Sequence, residues 1–231
     1  MNKTSASGAR PVLLFDVNET LLDLRALDPL FERWFGSATV RANWFAQMLQ
    51  ISFVGALTGD YVDFTTAQHA ALRMLALRMG VTLGNNGADE IVDTMSQLPV
   101  HPDVPAALDS LAAAGFRMAT LTNSLEAVAE AQLVSAGIRN RFERAFSADV
   151  VGRLKPAPEP YRMAADAMGV APGDTVLIAA HAWDVAGALA AGCRAAFVAR
   201  PGAVMFPIGR QPEITGRDIA DVAHQLVARW G

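Results

Sequence analysis

The stretch 12-VLLFDVNETLLDL-24 begins as a buried strand and ends as something else. Val12 to Phe15 form a short apolar run of the kind that sits inside a parallel sheet, covered on both faces. The run leads directly into Asp16, Asn18, Glu19 and Thr20. Carboxylates desolvated this close together repel one another and cost free energy unless they are paired or used. The end of this strand therefore reads as a site, with Asp16 as its candidate nucleophile.

Three further runs have the same character: Met118 to Thr122, Thr175 to Ala179 and Ala195 to Ala199. Helical patterns follow two of them, at Leu125 to Ala136 and Trp183 to Ala191. Another, Val104 to Ala114, precedes the second run and stops at Gly115. Strands alternating with helices of this length predict an α/β protein with a doubly wound (Rossmann-like) parallel sheet.

Between Leu24 and Leu98 the strand-like runs disappear. Amphipathic segments take over at about Leu27 to Phe35, Val40 to Thr58, Asp60 to Met79 and Ala88 to Gln97, with Asp60 the expected N-cap of the third. Pro99 and Pro102 mark the return to the α/β pattern, because proline disfavours helix before it. The expected organisation is a core of residues 1–23 and 99–231, with a helical cap of residues 24–98 inserted after the first strand.

Composition narrows the function. The chain has 231 residues, 52% of them hydrophobic, and a formal net charge of −4, so it offers no basic footprint for nucleic acid. A single cysteine, Cys193, and four histidines exclude an intrachain disulfide and a Cys/His zinc cluster and fit a reducing compartment. No run approaches 18 apolar residues, and the opening MNKTSASGAR lacks the apolar stretch of a signal peptide. A cytoplasmic protein with a frayed N-terminus and no membrane partner is expected.

In open α/β sheets ligands bind at the carboxyl ends of the strands. There the sequence places Asp16, Asn18, Glu19 and Thr20, then Thr122, Asn123 and Ser124, then His181 and Asp184. A proline-bounded segment, RLKPAPEPY, adds Lys155 and Tyr161 before a helix expected to begin near Glu159 or Pro160. Each has an ordinary alternative: a turn former at Asp16, a helix cap at Thr122 to Ser124, a solvated Lys155, a packed His181, and an Asp184 complementing a helix dipole. Their joint placement points to a covalent-hydrolysis site.

FDVNETL, LTNS, KPAPEPY and HAWDVAGALAAG resemble the four ordered motifs of the haloacid dehalogenase superfamily, and the insert resembles the cap of its L-2-haloacid dehalogenase branch. The superfamily's phosphatases hold Mg²⁺ with DxD and a later GDxxxD cluster. Here Asn18 and Ala180 replace two of those acids, which weakens a hard-cation site and removes the general acid. The resemblance thus implies a metal-free, cofactor-free hydrolase of short 2-haloalkanoic acids, with Asp16 attacking carbon 2 and releasing halide.

The same resemblance supplies roles. Lys155 holds the Asp16 carboxylate, Asp184 anchors Lys155, and Thr20 either orients Asp16 or caps the following segment. Thr122, Asn123 and the backbone N–H groups of Val17 and Asn18 bind the substrate carboxylate or Asp16, and Tyr161 either reaches the crevice or packs beneath it. Three features depart from the branch: Ala179, Ala180 and His181 replace serines and an asparagine, Asn18-Glu19 replaces Tyr-Gly, and Phe45 follows Trp44 where an arginine receives halide. Either the site has been dismantled or the changes are a coordinated exchange. The second is favoured, and it resembles a subgroup in which a His/Glu dyad, here His181 and Glu19, activates water.

Phe45 then suits an apolar halide channel, on one helix face with Trp44, Gln47 and Met48. Phe53 to Leu57 and Tyr61 to Met79 carry the homodimer that the branch implies. The alternatives are a phosphatase-like hydrolase of the same superfamily or a non-catalytic ligand-binding relative.

Overall fold

A computed structural model describes residues 10–231; the N-terminal segment expected to fray lies outside the described residues. In chain order the elements are β1 (Val12–Phe15), α1 (Asp28–Phe35), α2 (Val40–Thr58), α3 (Phe64–Met79), α4 (Gly84–Thr94), α5 (Val104–Ala113), β2 (Met118–Thr122) and α6 (Glu126–Ser135). They continue with β3 (Arg144–Ser147), α7 (Pro158–Ala167), β4 (Thr175–Ala179), α8 (Ala182–Ala191), β5 (Arg194–Val198), β6 (Ile214–Gly216) and α9 (Ile219–Trp230).

The six strands form one parallel sheet in the order β3-β2-β1-β4-β5-β6. The chain leaves β1 toward β2 and β3, then returns to the other side of β1 through β4, so the order reverses at the centre. This is the switch point at which such sheets open a crevice. Phe15 pairs with both Thr120 and Ile178, which brings the residues just after β1, β2 and β4 to the same edge.

Side chains alternate along β1, as the period of two demands. Leu13 and Phe15 enter one apolar cluster with Leu108, Leu111 and Leu226 of α5 and α9. Val12 and Leu14 enter the other, with Tyr161, Ala164, Val185 and Ala188 of α7 and α8. Burial on both faces explains why these strands read as uninterrupted apolar runs.

Helices α1 to α4 occupy the chain between β1 and β2. Trp44 of α2 is fully buried at their centre, 5.3 Å from the Phe31 ring, and its indole N–H donates to the Gln68 carbonyl at 3.1 Å. The cluster on this side of the sheet runs without a break into these helices.

Several boundaries differ from expectation. Asp63, not Asp60, caps α3: it has extended backbone and accepts from Thr66 N at 2.9 Å, so residues 60–63 are connection. Helix α4 starts at Gly84 rather than Ala88 and hands over to a 3-10 turn at Met95–Gln97. The last expected strand, Ala195 to Ala199, is shifted by one residue to Arg194–Val198, and α7 begins at Pro158, ahead of Glu159.

Gly187 lets α8 approach the Lys155 loop. A Cβ there would lie 2.6 Å from both Pro156 Cβ and Tyr161 Oη and 2.8 Å from the Pro156 carbonyl oxygen. Gly187→Ala is expected to destabilise the protein by about 1–3 kcal/mol in urea denaturation. Gly173→Ala, whose added Cβ would have a nearest neighbour at 3.8 Å, serves as the near-neutral control. Equal stability of the two variants would contradict this packing.

Candidate active site

Asp16 is 4% exposed immediately after the central strand. Its Oδ1 accepts from Lys155 Nζ at 2.9 Å, and its Oδ2 accepts from Thr20 Oγ1 at 2.6 Å and lies 3.1 Å from His181 Nδ1. Thr20 is fixed in turn, its hydroxyl accepting from Ala180 N at 2.9 Å.

Lys155 is fully buried. An ammonium has three N–H donors, and all three are used: on Asp16 Oδ1, on the Leu121 carbonyl at 2.8 Å and on Asp184 Oδ2 at 2.5 Å. Tyr161 Oη donates to the other oxygen of Asp184 at 2.5 Å. The main chain of Lys155 is clamped as well: its N–H donates to Asn123 Oδ1 at 2.8 Å and its carbonyl accepts from Asn123 Nδ2 at 3.1 Å.

The charges follow from these contacts. Burial raises the Asp16 carboxyl, but the Lys155 charge and hydrogen bonds from His181 and Thr20 outweigh it and hold Asp16 well below the usual carboxylate range. Burial would lower Lys155, yet Asp16 and Asp184 together push it up. His181 is likewise disfavoured as a cation by burial, and contacts with Asp16 and Glu19 reverse that, pushing it up to about 10.

His181 Nε2 lies 2.9 Å from Glu19 Oε2. The two residues, 162 positions apart in sequence, are in contact. Glu19 has φ of +61°, a left-handed conformation that costs a non-glycine residue free energy and persists only where surroundings enforce it. Its carbonyl lies 3.1 Å from His101 Nε2, and its Oε1 accepts from Arg41 Nη1 at 3.4 Å. The imidazole of His181 stacks on two rings, Phe45 (5.4 Å, 17° between planes) and Trp183 (5.2 Å, 25°). The Trp183 indole N–H is buried without an acceptor among the described residues.

A cavity of about 450 Å³ opens over this pair, lined by Glu19, Arg41, Phe45, His181, Trp183 and Phe206 among others. Asp16 lies one side chain deeper, behind His181. Among the described residues no three His, Cys, Asp or Glu side chains gather as metal ligands. No described helix is long and apolar enough to cross a membrane.

The remaining expected residues lie at this edge of the sheet, but several spend their polar atoms elsewhere. Both ends of the Asn123 amide are occupied by Lys155. Thr122 Oγ1 donates to Ser124 Oγ at 3.3 Å and accepts from Ser124 N. Asn18 donates to Ser124 Oγ at 3.3 Å and accepts from Gln132 Nε2 at 3.0 Å, so its side chain faces α6. Val17 is fully buried, and Tyr161 is sealed beneath Asp184, away from the cavity. Arg41 was not anticipated; its signal is its position four residues before Phe45, one turn along the same helix face.

A sequence profile of the haloacid dehalogenase-like hydrolases matches residues 11–192. Haloacetate dehalogenase H-2 of Moraxella sp. (strain B) is 25% identical over 216 residues, 93% of this chain and 96% of that one. The (S)-2-haloacid dehalogenase of Pseudomonas sp. (strain YL) is 27% identical over 203 residues, 87% and 88% of the two chains. The fold is shared with the L-2-haloacid dehalogenase of Xanthobacter autotrophicus, solved with chloropropionic acid covalently bound, at a TM-score of 0.87 and 21% identity over 94% of this chain and 98% of that one.

The His181 contacts give stability a pH dependence. Its proton is held more tightly in the folded state than in an unfolded chain, where histidine titrates near 6.5. The contribution is therefore complete below pH about 6.5 and lost as pH rises toward about 10. Urea denaturation from pH 6 to 10 is expected to show this decline in the wild type and a flatter profile in His181→Gln. Parallel profiles would contradict it.

Proposed function

Because the chain belongs to the haloacid dehalogenase-like hydrolase family, we propose that it is a hydrolytic dehalogenase of short 2-haloalkanoic acids, working through an ester on Asp16. The observation that carries this reading is the unbroken series of contacts Asp16–His181–Glu19. It sets a desolvated, ionised nucleophile beside a base with its own carboxylate partner. The names and cover of the two dehalogenase relatives support the same chemistry.

In the first step an Asp16 carboxylate oxygen attacks carbon 2 from the side opposite the halogen. The carbon–oxygen bond forms, the carbon–halogen bond breaks, and halide leaves with the bonding pair and inverts the carbon. No proton is needed, so neither a second aspartate at position 18 nor a cofactor enters the step. The turn after β1 receives the substrate carboxylate through the N–H groups of Val17 and Asn18, which have no protein acceptor among the described residues. Thr122 and Asn123 act one layer back, and Asn123 holds the Lys155 main chain in place.

In the second step water attacks the Asp16 carbonyl carbon. Lys155, still paired with Asp184, stabilises the oxygen that becomes negative. His181 Nδ1 takes a proton from the water while Glu19 holds Nε2–H and so fixes the tautomer. The bond from the Asp16 carbonyl carbon to the substrate oxygen then breaks, and His181 returns a proton to the departing alkoxide. Asp16 ionises again, and the balance is haloacid plus water giving hydroxy acid, halide and one proton.

A histidine held near 10 is cationic in the resting enzyme and cannot accept a proton. Alkylation resolves this. It converts the Asp16 carboxylate to a neutral ester and removes the charge that holds the Nδ1 proton, so His181 releases that proton to solvent and becomes a base at the step that needs one; the proton that Asp16 gives up at the end of the cycle restores the cation.

On this reading residues 24–98 act as a cap over the core of residues 1–23 and 99–231. Leu57 and Leu77, exposed on α2 and α3 at 87% and 84%, support a homodimer through the cap.

With 2-chloropropionate or bromoacetate, halide release is expected to persist in EDTA and to be abolished in Asp16→Asn. In His181→Gln, intact-protein mass spectrometry is expected to show the mass increase of an ester that persists for at least about a hundredfold longer than in the wild type. Halide release by Asp16→Asn at the wild-type rate would overturn the reading, as would strict Mg²⁺ dependence with turnover of a phosphate ester.

A further inference from the structure

We propose that the cap completes the water-activating pair: Arg41 and Phe45, one turn apart on α2, are positioning residues for Glu19 and His181 respectively. The inference rests on the dehalogenase reading for its kinetic consequence and on geometry for its substance.

Every polar contact to the nucleophile comes from outside the α1 to α4 insert. Lys155, Thr20 and His181 touch Asp16, and Asp184 and Leu121 hold Lys155. The dyad is different. Phe45 lies nearly parallel to the imidazole at 5.4 Å, and Trp183 stacks on it as well, at 5.2 Å. Two flat walls leave the ring rotation within its own plane, and in that plane Nδ1 meets Asp16 while Nε2 meets Glu19. Without Phe45 one wall is lost and the ring is free to tilt out of that line.

Arg41 does the corresponding work on Glu19. Its Nε is anchored on Asp28 Oδ1 at 2.6 Å, and its Nη1 reaches Glu19 Oε1 at 3.4 Å, the oxygen that His181 does not use. Glu19 carries a strained backbone, so its rotamer depends on partners at both oxygens. Arg41 is only 15% exposed, and its charge partly neutralises a carboxylate that already faces Asp16 across the imidazole.

The two halves of the reaction should therefore answer differently to changes on α2. Ester formation draws on groups outside the insert, whereas ester hydrolysis needs a dyad that α2 holds in line.

The test follows single turnover of 2-chloropropionate by rapid-quench intact-mass spectrometry in the wild type, Phe45→Leu, Arg41→Gln and Phe45→Tyr. In Phe45→Leu and Arg41→Gln the ester is expected to accumulate, with hydrolysis slowed about tenfold or more and slowed more than ester formation. Phe45→Tyr, which keeps the flat wall, is expected to restore hydrolysis. Wild-type hydrolysis in both of the first two variants, or equal slowing of both steps, would overturn the proposal.

A second arm needs no substrate. Proton NMR of the resting protein, with the signals identified by their loss in His181→Gln, is expected to show two slowly exchanging His181 ring N–H protons in the wild type. Phe45→Leu and Arg41→Gln are expected to broaden or lose at least one. Unchanged signals in both variants would overturn the positioning role. A wild type that forms no ester would overturn the dehalogenase reading and leave this arm to decide the inference alone.

Discussion

The site is organised around one ammonium group buried between two carboxylates. An unpaired buried cation is prohibitively costly, and a buried pair that loses one partner is strongly destabilising, so Lys155 dictates what surrounds it. Its three protons go to Asp16, Asp184 and the Leu121 carbonyl, which ties β1, α8 and β2 to a single point. Tyr161 of α7 completes Asp184, Asn123 fixes the Lys155 main chain, and Gly187 provides the space for Pro156 and Tyr161 to close in. The end of the central strand is rigid because each of these contacts removes a degree of freedom from the same charge.

Around that point three carboxylates, Asp16, Asp184 and Glu19, face three cations, Lys155, His181 and Arg41. Alkylation of Asp16 would remove one negative charge from this set and leave His181 with Glu19 as its remaining anionic partner. The least costly response is loss of a proton from the cation with the lowest proton affinity, the imidazole. On the proposed mechanism, the geometry that keeps His181 charged at rest is also the geometry that would release it as a base once Asp16 is consumed, with Glu19 on the far nitrogen to hold the tautomer.

Much of this was legible in the sequence because the signals were local and strong. Val12 to Phe15 and Thr175 to Ala179 are buried on both faces and could hardly read as anything else. β3 and β6 were not seen: Arg144 leaves the first half-exposed and mixed in character, and Ile214–Gly216 is too short to show a period. Asp16, Lys155, His181 and Glu19 stood out as chemistry at strand ends. Sequence gives position and not orientation, however: it puts the Asn123 amide at the crevice, whereas both ends of that amide are turned to the Lys155 main chain. Glu19 is left-handed inside the turn that Leu21 N and Leu22 N close on the Val17 carbonyl, and its partners His101, His181 and Arg41 come from other segments. Phe45 was recognised as lining the site, but its stacking on His181 belongs to tertiary structure alone.

In the proposed mechanism water attacks the enzyme rather than the substrate. A single turnover of 2-chloropropionate in ¹⁸O-water, followed by mass spectrometry of the peptide bearing Asp16 and of the product, tests it directly. The account predicts that ¹⁸O enters the Asp16 carboxylate while the lactate formed carries the enzyme's original ¹⁶O. Label in the new hydroxyl of lactate, with the Asp16 peptide unlabelled, would mean that water displaces halide directly and would contradict the account.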